Sequence, residues 1–102
     1  MKNLSVLGST GSIGRNTLKI VEKFPDKFSV KALTAANNVE ALVRQIEKFS
    51  PEIAVVLDEK NAAMLKEKIP PACDVQVFYG EEGYRKAAVH PSTDMVVTAM
   101  VG

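Results

Sequence analysis

The 102-residue sequence is 46% hydrophobic and 25% charged, the make-up of one globular domain with one core, which at this size needs no disulfide staples. Its 13 Lys and Arg nearly cancel 12 Asp and Glu, leaving a net charge of +1 without long runs of one sign, which argues against nucleic acid and membrane surfaces as partners. One cysteine, Cys73, makes no internal disulfide, no Cys/His cluster offers a zinc site, and the apolar stretch before Gly8 is too short for a signal or a span, so the chain reads as cytoplasmic.

Apolar runs alternate with segments of helical period, which is the mark of βαβ units. Leu4-Ser5-Val6-Leu7 predicts a first strand stopped at Gly8, and from Gly14 onward Leu18, Ile20, Val21 and Phe24 lie near one helical stripe that Pro25 ends. Phe28-Ser29-Val30-Lys31-Ala32-Leu33 alternates with period two, a second strand. Asn37-Asn38 follows as turn and N-cap for a helix carrying Val39, Leu42, Val43, Ile46 and Phe49, which Ser50-Pro51 breaks. Ile53-Ala54-Val55-Val56-Leu57 reads as a strand buried on both faces, and Asp58 caps a helix carrying Ala62, Leu65 and Ile69 that Pro70-Pro71 stops. Val75-Gln76-Val77-Phe78 predicts a fourth strand, Gly80 to Val89 a short helix, and the run Met95 to Val101 a buried fifth strand.

Five strands separated by helices predict an α/β fold: a Rossmann-like, mostly parallel sheet with helices on both faces. Gly102 follows directly on the most hydrophobic strand, where open α/β sheets carry ligand-binding loops, so residues 1–102 read as a single domain cut from a longer chain.

The residues richest in chemistry are Gly8-Ser9-Thr10-Gly11-Ser12-Ile13-Gly14, between the first strand and the first helix. A diphosphate at a helix N-terminus is stabilised by unpaired N–H groups and by the helix dipole, provided no Cβ blocks its approach. Gly8 and Gly11 supply that access, Gly14 lets the helix pack closely on the strands, and Thr10 and Ser12 add hydroxyl donors. Dinucleotide binding is therefore the leading expectation, with a tight strand-to-helix turn that holds no ligand as its alternative. Gly14 is followed by Arg15-Asn16-Thr17, which is not the Gly-Lys-Ser/Thr of an ATPase loop. The end of the second strand reads Thr34-Ala35-Ala36-Asn37-Asn38, without the carboxylate that binds an adenosine ribose 2′-OH. That absence tilts the choice toward NADP, with the two Asn amides as uncharged phosphate donors.

His90 stands alone before Pro91, and Cys73 has no cation beside it to favour a thiolate, so neither is assigned chemistry. Met95 and Met100 are expected to pack into the sheet, with Ala99, Met100 and Val101 where a nicotinamide or adenine rests. Glu81, Glu82, Arg85 and Lys86 read as a solvated helix face.

The block from Leu7 to Gly14, with Thr17-Leu18, Phe28, Ala32-Leu33, Asn38-Val39 and Val101-Gly102, resembles the N-terminal NADPH domain of the 1-deoxy-D-xylulose 5-phosphate reductoisomerase family over nearly the whole chain. The resemblance implies an enzyme of non-mevalonate isoprenoid synthesis. It rearranges 1-deoxy-D-xylulose 5-phosphate and reduces the product with NADPH to 2-C-methyl-D-erythritol 4-phosphate. Carried over by position, Thr10, Gly11, Ser12 and Ile13 would line the cofactor's phosphates, and Ala36, Asn37 and Asn38 its adenosine 2′-phosphate end. Many relatives have a basic triplet such as Gly-Lys-Asn where this chain has Ala36-Asn37-Asn38, so a charge-assisted contact is missing here. The resemblance further implies a Mg or Mn ion bound outside this segment, a small phosphorylated sugar as substrate, and a homodimeric parent protein. The 102 residues alone are then expected to be a cofactor platform without turnover. An NADP domain of a semialdehyde-dehydrogenase-like reductase and a non-enzymatic nucleotide-sensing module are the alternatives.

Overall fold

A computed structural model describes residues 1–98. The elements run β1 (Lys2–Leu7), α1 (Ser12–Lys23), β2 (Phe28–Thr34), α2 (Val39–Phe49), β3 (Ile53–Val56), α3 (Glu59–Lys68), β4 (Gln76–Tyr79), α4 (Gly80–Ala88) and β5 (Met95–Thr98). They form one five-stranded sheet in the order β4-β3-β2-β1-β5, and every neighbouring pair is parallel. The chain thus steps outward from β1 to β4 and then crosses back to place β5 on β1's other side. That reversal opens a crevice at the carboxyl ends of β1 and β5, the place where open α/β sheets bind ligands.

Side-chain alternation along the strands sends the apolar residues to two faces. Leu4 and Val6 of β1, Leu33 of β2 and Ala54 and Val56 of β3 meet Leu18 and Val21 of α1, Leu42 and Ile46 of α2 and Leu65 of α3 in the main core. Leu7, Ala32, Ile53 and Val55 point the other way, to Ala87 of α4 with Phe78 and Tyr84 around it. Three helices therefore cover one face and a single helix the other. Crowding by that single helix explains Gly83, where an added Cβ would lie 2.8 Å from Val55 Cγ1 and 3.0 Å from Phe78 Cβ.

Strict period two in β2 does not hold. The register against β1 shifts between Leu4 and Ser5, which pair with Val30 and Ala32, so Lys31 is an extra residue that bulges the strand. The bulge turns Val30 and Leu33 to one face and Ala32 to the other. Leu57, read from the sequence as part of β3, lies past its end and is 48% exposed. The fifth strand was expected to be buried, with Met95 in the sheet. Over the described residues it is an edge strand paired only with β1, and Met95 and Val96 are 44% and 40% exposed. Its expected continuation through Ala99, Met100 and Val101 lies outside the described residues.

Helix ends follow the side chains available. Asp58 caps α3 by accepting the Asn61 N–H at 2.9 Å, as expected, and of the Asn37-Asn38 pair it is Asn38 that caps α2, accepting the Ala41 N–H at 3.2 Å. Ser50 closes α2 in a left-handed conformation, φ 49° and ψ 55°, with its N–H on the Ile46 carbonyl. A side chain there costs roughly 1 kcal/mol relative to glycine. Ser50→Gly should accordingly raise the thermal midpoint of unfolding by about 4 °C, read by circular dichroism; no rise would place the strain elsewhere.

Candidate functional site

The turn between β1 and α1 is built around Gly8 and Gly14. Gly8 takes φ 84°, a left-handed backbone suited to glycine. A Cβ at Gly14 would lie 2.3 Å from the Gly8 carbonyl oxygen and 2.7 Å from Ser9 Cα, so α1 can rest on the turn only because residue 14 has no side chain. Gly11 is different. Its φ is −80°, and a Cβ there would meet only the Gly8 carbonyl oxygen at an ordinary 3.6 Å. Neither backbone geometry nor internal packing requires glycine at this exposed position, which leaves access from outside as the reason for it.

Gly11 is also the N-cap of α1, and no side chain caps the helix. The first bond of the helical ladder runs from the Arg15 N–H to the Gly11 carbonyl at 2.9 Å, so the N–H groups of Ser12, Ile13 and Gly14 precede the ladder. Asn38 and Asp58 occupy the equivalent donors of α2 and α3, whereas α1 offers its donors and the positive end of its dipole to an anion. Of the residues predicted to line phosphates, Ser12 and Ile13 are exposed with Gly11, and Thr10 is half-buried. Ile13 is 60% exposed, an apolar side chain held in water at the mouth of the turn.

The second predicted cluster, Ala36, Asn37 and Asn38, stands at the carboxyl end of the neighbouring strand, and the structure ties it to the turn. The Gly8 and Ser9 N–H groups both donate to the Thr34 carbonyl, at 3.1 and 2.8 Å, and Gly8 N–H also reaches Thr34 Oγ1 at 2.9 Å. Thr34 and Ser9 are fully buried. Ser9 Oγ donates to Gln45 Oε1 at 2.6 Å, and Gln45 Nε2 donates back to the Ser9 carbonyl at 2.8 Å, which fixes the turn against α2. Asn61 Nδ2 donates to Asn37 Oδ1 at 3.1 Å, and the Leu57 N–H to the Ala36 carbonyl at 3.1 Å. The side-chain oxygens of Asn37 and Asn38 are thus engaged, and their NH₂ groups are the donors that remain at this exposed position.

From the opposite face, Tyr84 of α4 donates its hydroxyl to the Ala35 carbonyl at 2.8 Å. Burial, with the Asp58 carboxylate adding to it, pushes this hydroxyl's pKa up and keeps it a donor. Thr34, Gln45, Asn61 and Tyr84 were not singled out from the sequence. Each is a polar residue in an ordinary place for its type, and its role comes from a partner 24 to 49 positions away.

His90 is 9% exposed near the amino ends of β2 and β3, the end of the sheet opposite the turn. Its Nδ1 accepts the Ser92 N–H at 3.1 Å, so Nε2 carries the proton and faces Glu52 Oε1 at 3.2 Å. Lys31 Nζ lies 3.3 Å from the same carboxylate and holds its pKa below the usual range against a small desolvation. The three side chains tie the loop before β5 to the bulge of β2 and the start of β3. Cys73 is half-buried against the main core. Glu81, Glu82, Arg85 and Lys86 are exposed, with Lys86 Nζ 4.4 Å from the centroid of the Phe78 ring.

Comparisons with known proteins converge on one description. The sequence model of the family 1-deoxy-D-xylulose 5-phosphate reductoisomerase matches residues 4–102. The enzyme of that name from Desulfosudis oleivorans is 53% identical over 102 residues, 100% of this chain and 27% of the relative. That from Moorella thermoacetica is 46% identical over 101 residues, 99% and 26% of the two chains. A crystal structure of DOX-P reductoisomerase with NADPH, fosmidomycin and magnesium superposes with a TM-score of 0.94 at 34% identity, covering 100% of this chain and 25% of that one. The enzyme from Zymomonas mobilis in complex with NADPH superposes with a TM-score of 0.91 at 33% identity, covering 99% and 26%. The chain thus spans about a quarter of the length of the curated relatives it matches.

Proposed function

Because the chain belongs to the 1-deoxy-D-xylulose 5-phosphate reductoisomerase family, we propose that residues 1–102 are the NADPH-binding portion of such an enzyme. The whole protein then rearranges 1-deoxy-D-xylulose 5-phosphate and reduces the product to 2-C-methyl-D-erythritol 4-phosphate. Family membership displaces the semialdehyde-dehydrogenase-like and nucleotide-sensing alternatives. The observation that carries the reading is Gly11, a glycine needed neither by its φ of −80° nor by contacts inside the chain, at the uncapped N-terminus of α1.

When bound, NADPH supplies the hydride for the reduction. This chain's residues orient it. The N–H groups of the first turn of α1 receive the diphosphate between Thr10, Gly11, Ser12 and Ile13, with the Thr10 and Ser12 hydroxyls as further donors. The Asn37 and Asn38 amides and the Ala36 backbone take the adenosine 2′-phosphate end. Gln45, Thr34 and Tyr84 hold these two segments at a fixed separation. The Mg or Mn ion, the sugar-phosphate site and much of the homodimer contact belong to the roughly three quarters of the relatives' length outside this segment, so the 102 residues alone bind cofactor without turnover. No helix among the described residues is long and apolar enough to cross a membrane.

The test is calorimetric titration with NADPH and NADH in parallel. Tighter NADPH binding is expected. Equal binding would remove the 2′-phosphate assignment while leaving the turn, and binding of neither would remove the cofactor reading.

A further inference from the structure

A 2′-phosphate is close to a dianion at neutral pH, and Ala36-Asn37-Asn38 offers it no cation. The structure supplies cations next door. A groove of about 320 Å³ runs between α1 and α2, with Arg15 on one wall and Arg44 on the other. Three hydrogen bonds join the groove wall to the candidate site. Arg15 N–H is bonded to the Gly11 carbonyl, Gln45 is bonded to Ser9, and the Ala41 N–H is bonded to the Asn38 side chain. Ala41, Gln45 and Arg15 all line the groove. Its end at Arg15, Ala41 and Gln45 is therefore one hydrogen bond away from both the glycine turn and the Asn37-Asn38 loop.

The other charges of the groove lie farther along the helices or are already paired. Lys19 is one helical turn beyond Arg15, and Lys48, one turn beyond Arg44, bonds Glu22 at 2.7 Å. Three carboxylates begin the helices near the loop. Asp58 is held by the Asn61 N–H and amide, Glu59 is on α3, and Glu40 precedes Arg44 by one turn. No ion pair among the described residues joins Arg15 or Arg44 to an acid. Both guanidiniums are exposed, each with its donor fork available.

We propose that Arg15 and Arg44 are specificity-determining residues that bind the 2′-phosphate of NADPH from the helices, in place of a cation on the loop after β2. The two Asn amides complete the phosphate's hydrogen bonds, and Glu40 sets an upper bound on the positive potential there. This assignment rests on the cofactor reading above and deepens it.

The experiment is to titrate the full-length protein with NADPH and with NADH, which differ only in the 2′-phosphate, in the native form and in the R15Q/R44Q and R15K/R44K variants. The glutamine pair should weaken NADPH by about 100-fold, roughly tenfold for each lost charge-assisted contact, while NADH stays within about twofold. The lysine pair, which restores the charges without the planar fork, should regain part of the preference. An unchanged NADPH/NADH ratio in the glutamine pair overturns the assignment, as does an equal loss for both cofactors, which would mark the arginines as structural. A lysine pair that recovers nothing also overturns it, since charge would then not be the agent. If the native protein binds NADH but shows no preference for NADPH, the arginine assignment fails and the turn survives; if it binds neither, the cofactor reading itself fails.

Discussion

Replacing Gly14 with alanine should destabilise the domain by about 3 kcal/mol or more, a large share of the 5–15 kcal/mol that holds a typical domain together. In an exposed helix the same change stabilises by about 1 kcal/mol, because glycine has the greater backbone freedom to lose. The sign reverses here because the new methyl would sit 2.3 Å from the Gly8 carbonyl oxygen, with Ser9 Cα at 2.7 Å and Ser9 C at 2.9 Å. All three are backbone atoms, and those of Ser9 are pinned by hydrogen bonds to Thr34 and Gln45, so no flexible side chain can give way. Either α1 lifts off the sheet, uncovering Leu18 and Val21, or the turn breaks its bonds to Thr34. Urea unfolding of the variant beside the native protein measures the outcome. A loss below about 0.5 kcal/mol would mean that the backbone relaxes freely and that close packing of α1 is not what residue 14 supplies.

Gly11→Asp is expected to do the opposite, removing cofactor binding and leaving stability intact. Residue 11 has φ −80° and ψ 174°, extended values open to any residue, and space for a Cβ. Aspartate is moreover a preferred N-cap that can accept from the first turn of α1 and gain a few tenths of a kcal/mol over glycine. The same carboxylate would take up the donors proposed for the diphosphate and set a negative charge against it. NADPH affinity should fall by about 100-fold or more, with the unfolding midpoint unchanged or slightly raised. Retained affinity would show that the diphosphate lies elsewhere. If both results hold, the two glycines, three residues apart, separate fold from function: one is needed by the chain, the other by what the chain is proposed to hold.

Much of the architecture was legible because each transition is written in local chemistry. Pro25, Ser50-Pro51 and Pro70-Pro71 end helices, Asp58 and Asn38 begin them, and β-branched runs mark β3 and β5. The glycine turn was legible for the same reason, since a strand, three glycines and a helix fall within a short stretch. The bulge at Lys31 was not, because an alternating sequence cannot announce that one residue will be left without a partner on the next strand. Burial of β5 was misjudged because apolar composition says what a strand prefers to touch and not what lies beside it. Gln45 was invisible for a related reason: on a helical wheel it is one more polar residue near the solvent boundary, and only the packing of α2 on the turn gives it two bonds to Ser9. Arg15 and Arg44 are 29 positions apart and become a pair only across the groove.

Three of the contacts that hold the site together are also short in sequence compared with those that complete the sheet. Gly8 reaches Thr34 across 26 positions, Asn37 reaches Asn61 across 24, and Ser9 reaches Gln45 across 36, whereas the Asn3–Asp94 bond beside β5 spans 91. As the chain leaves the ribosome, these three contacts are available once Asn61 has emerged, before α4 brings Tyr84 to the Ala35 carbonyl and before β5 exists. Closing the smaller loops costs less entropy than closing the last one, so the phosphate turn and its neighbouring loop can assemble as an early unit on which the rest of the sheet is laid. The part of the molecule proposed to meet the cofactor is then among the first to take shape.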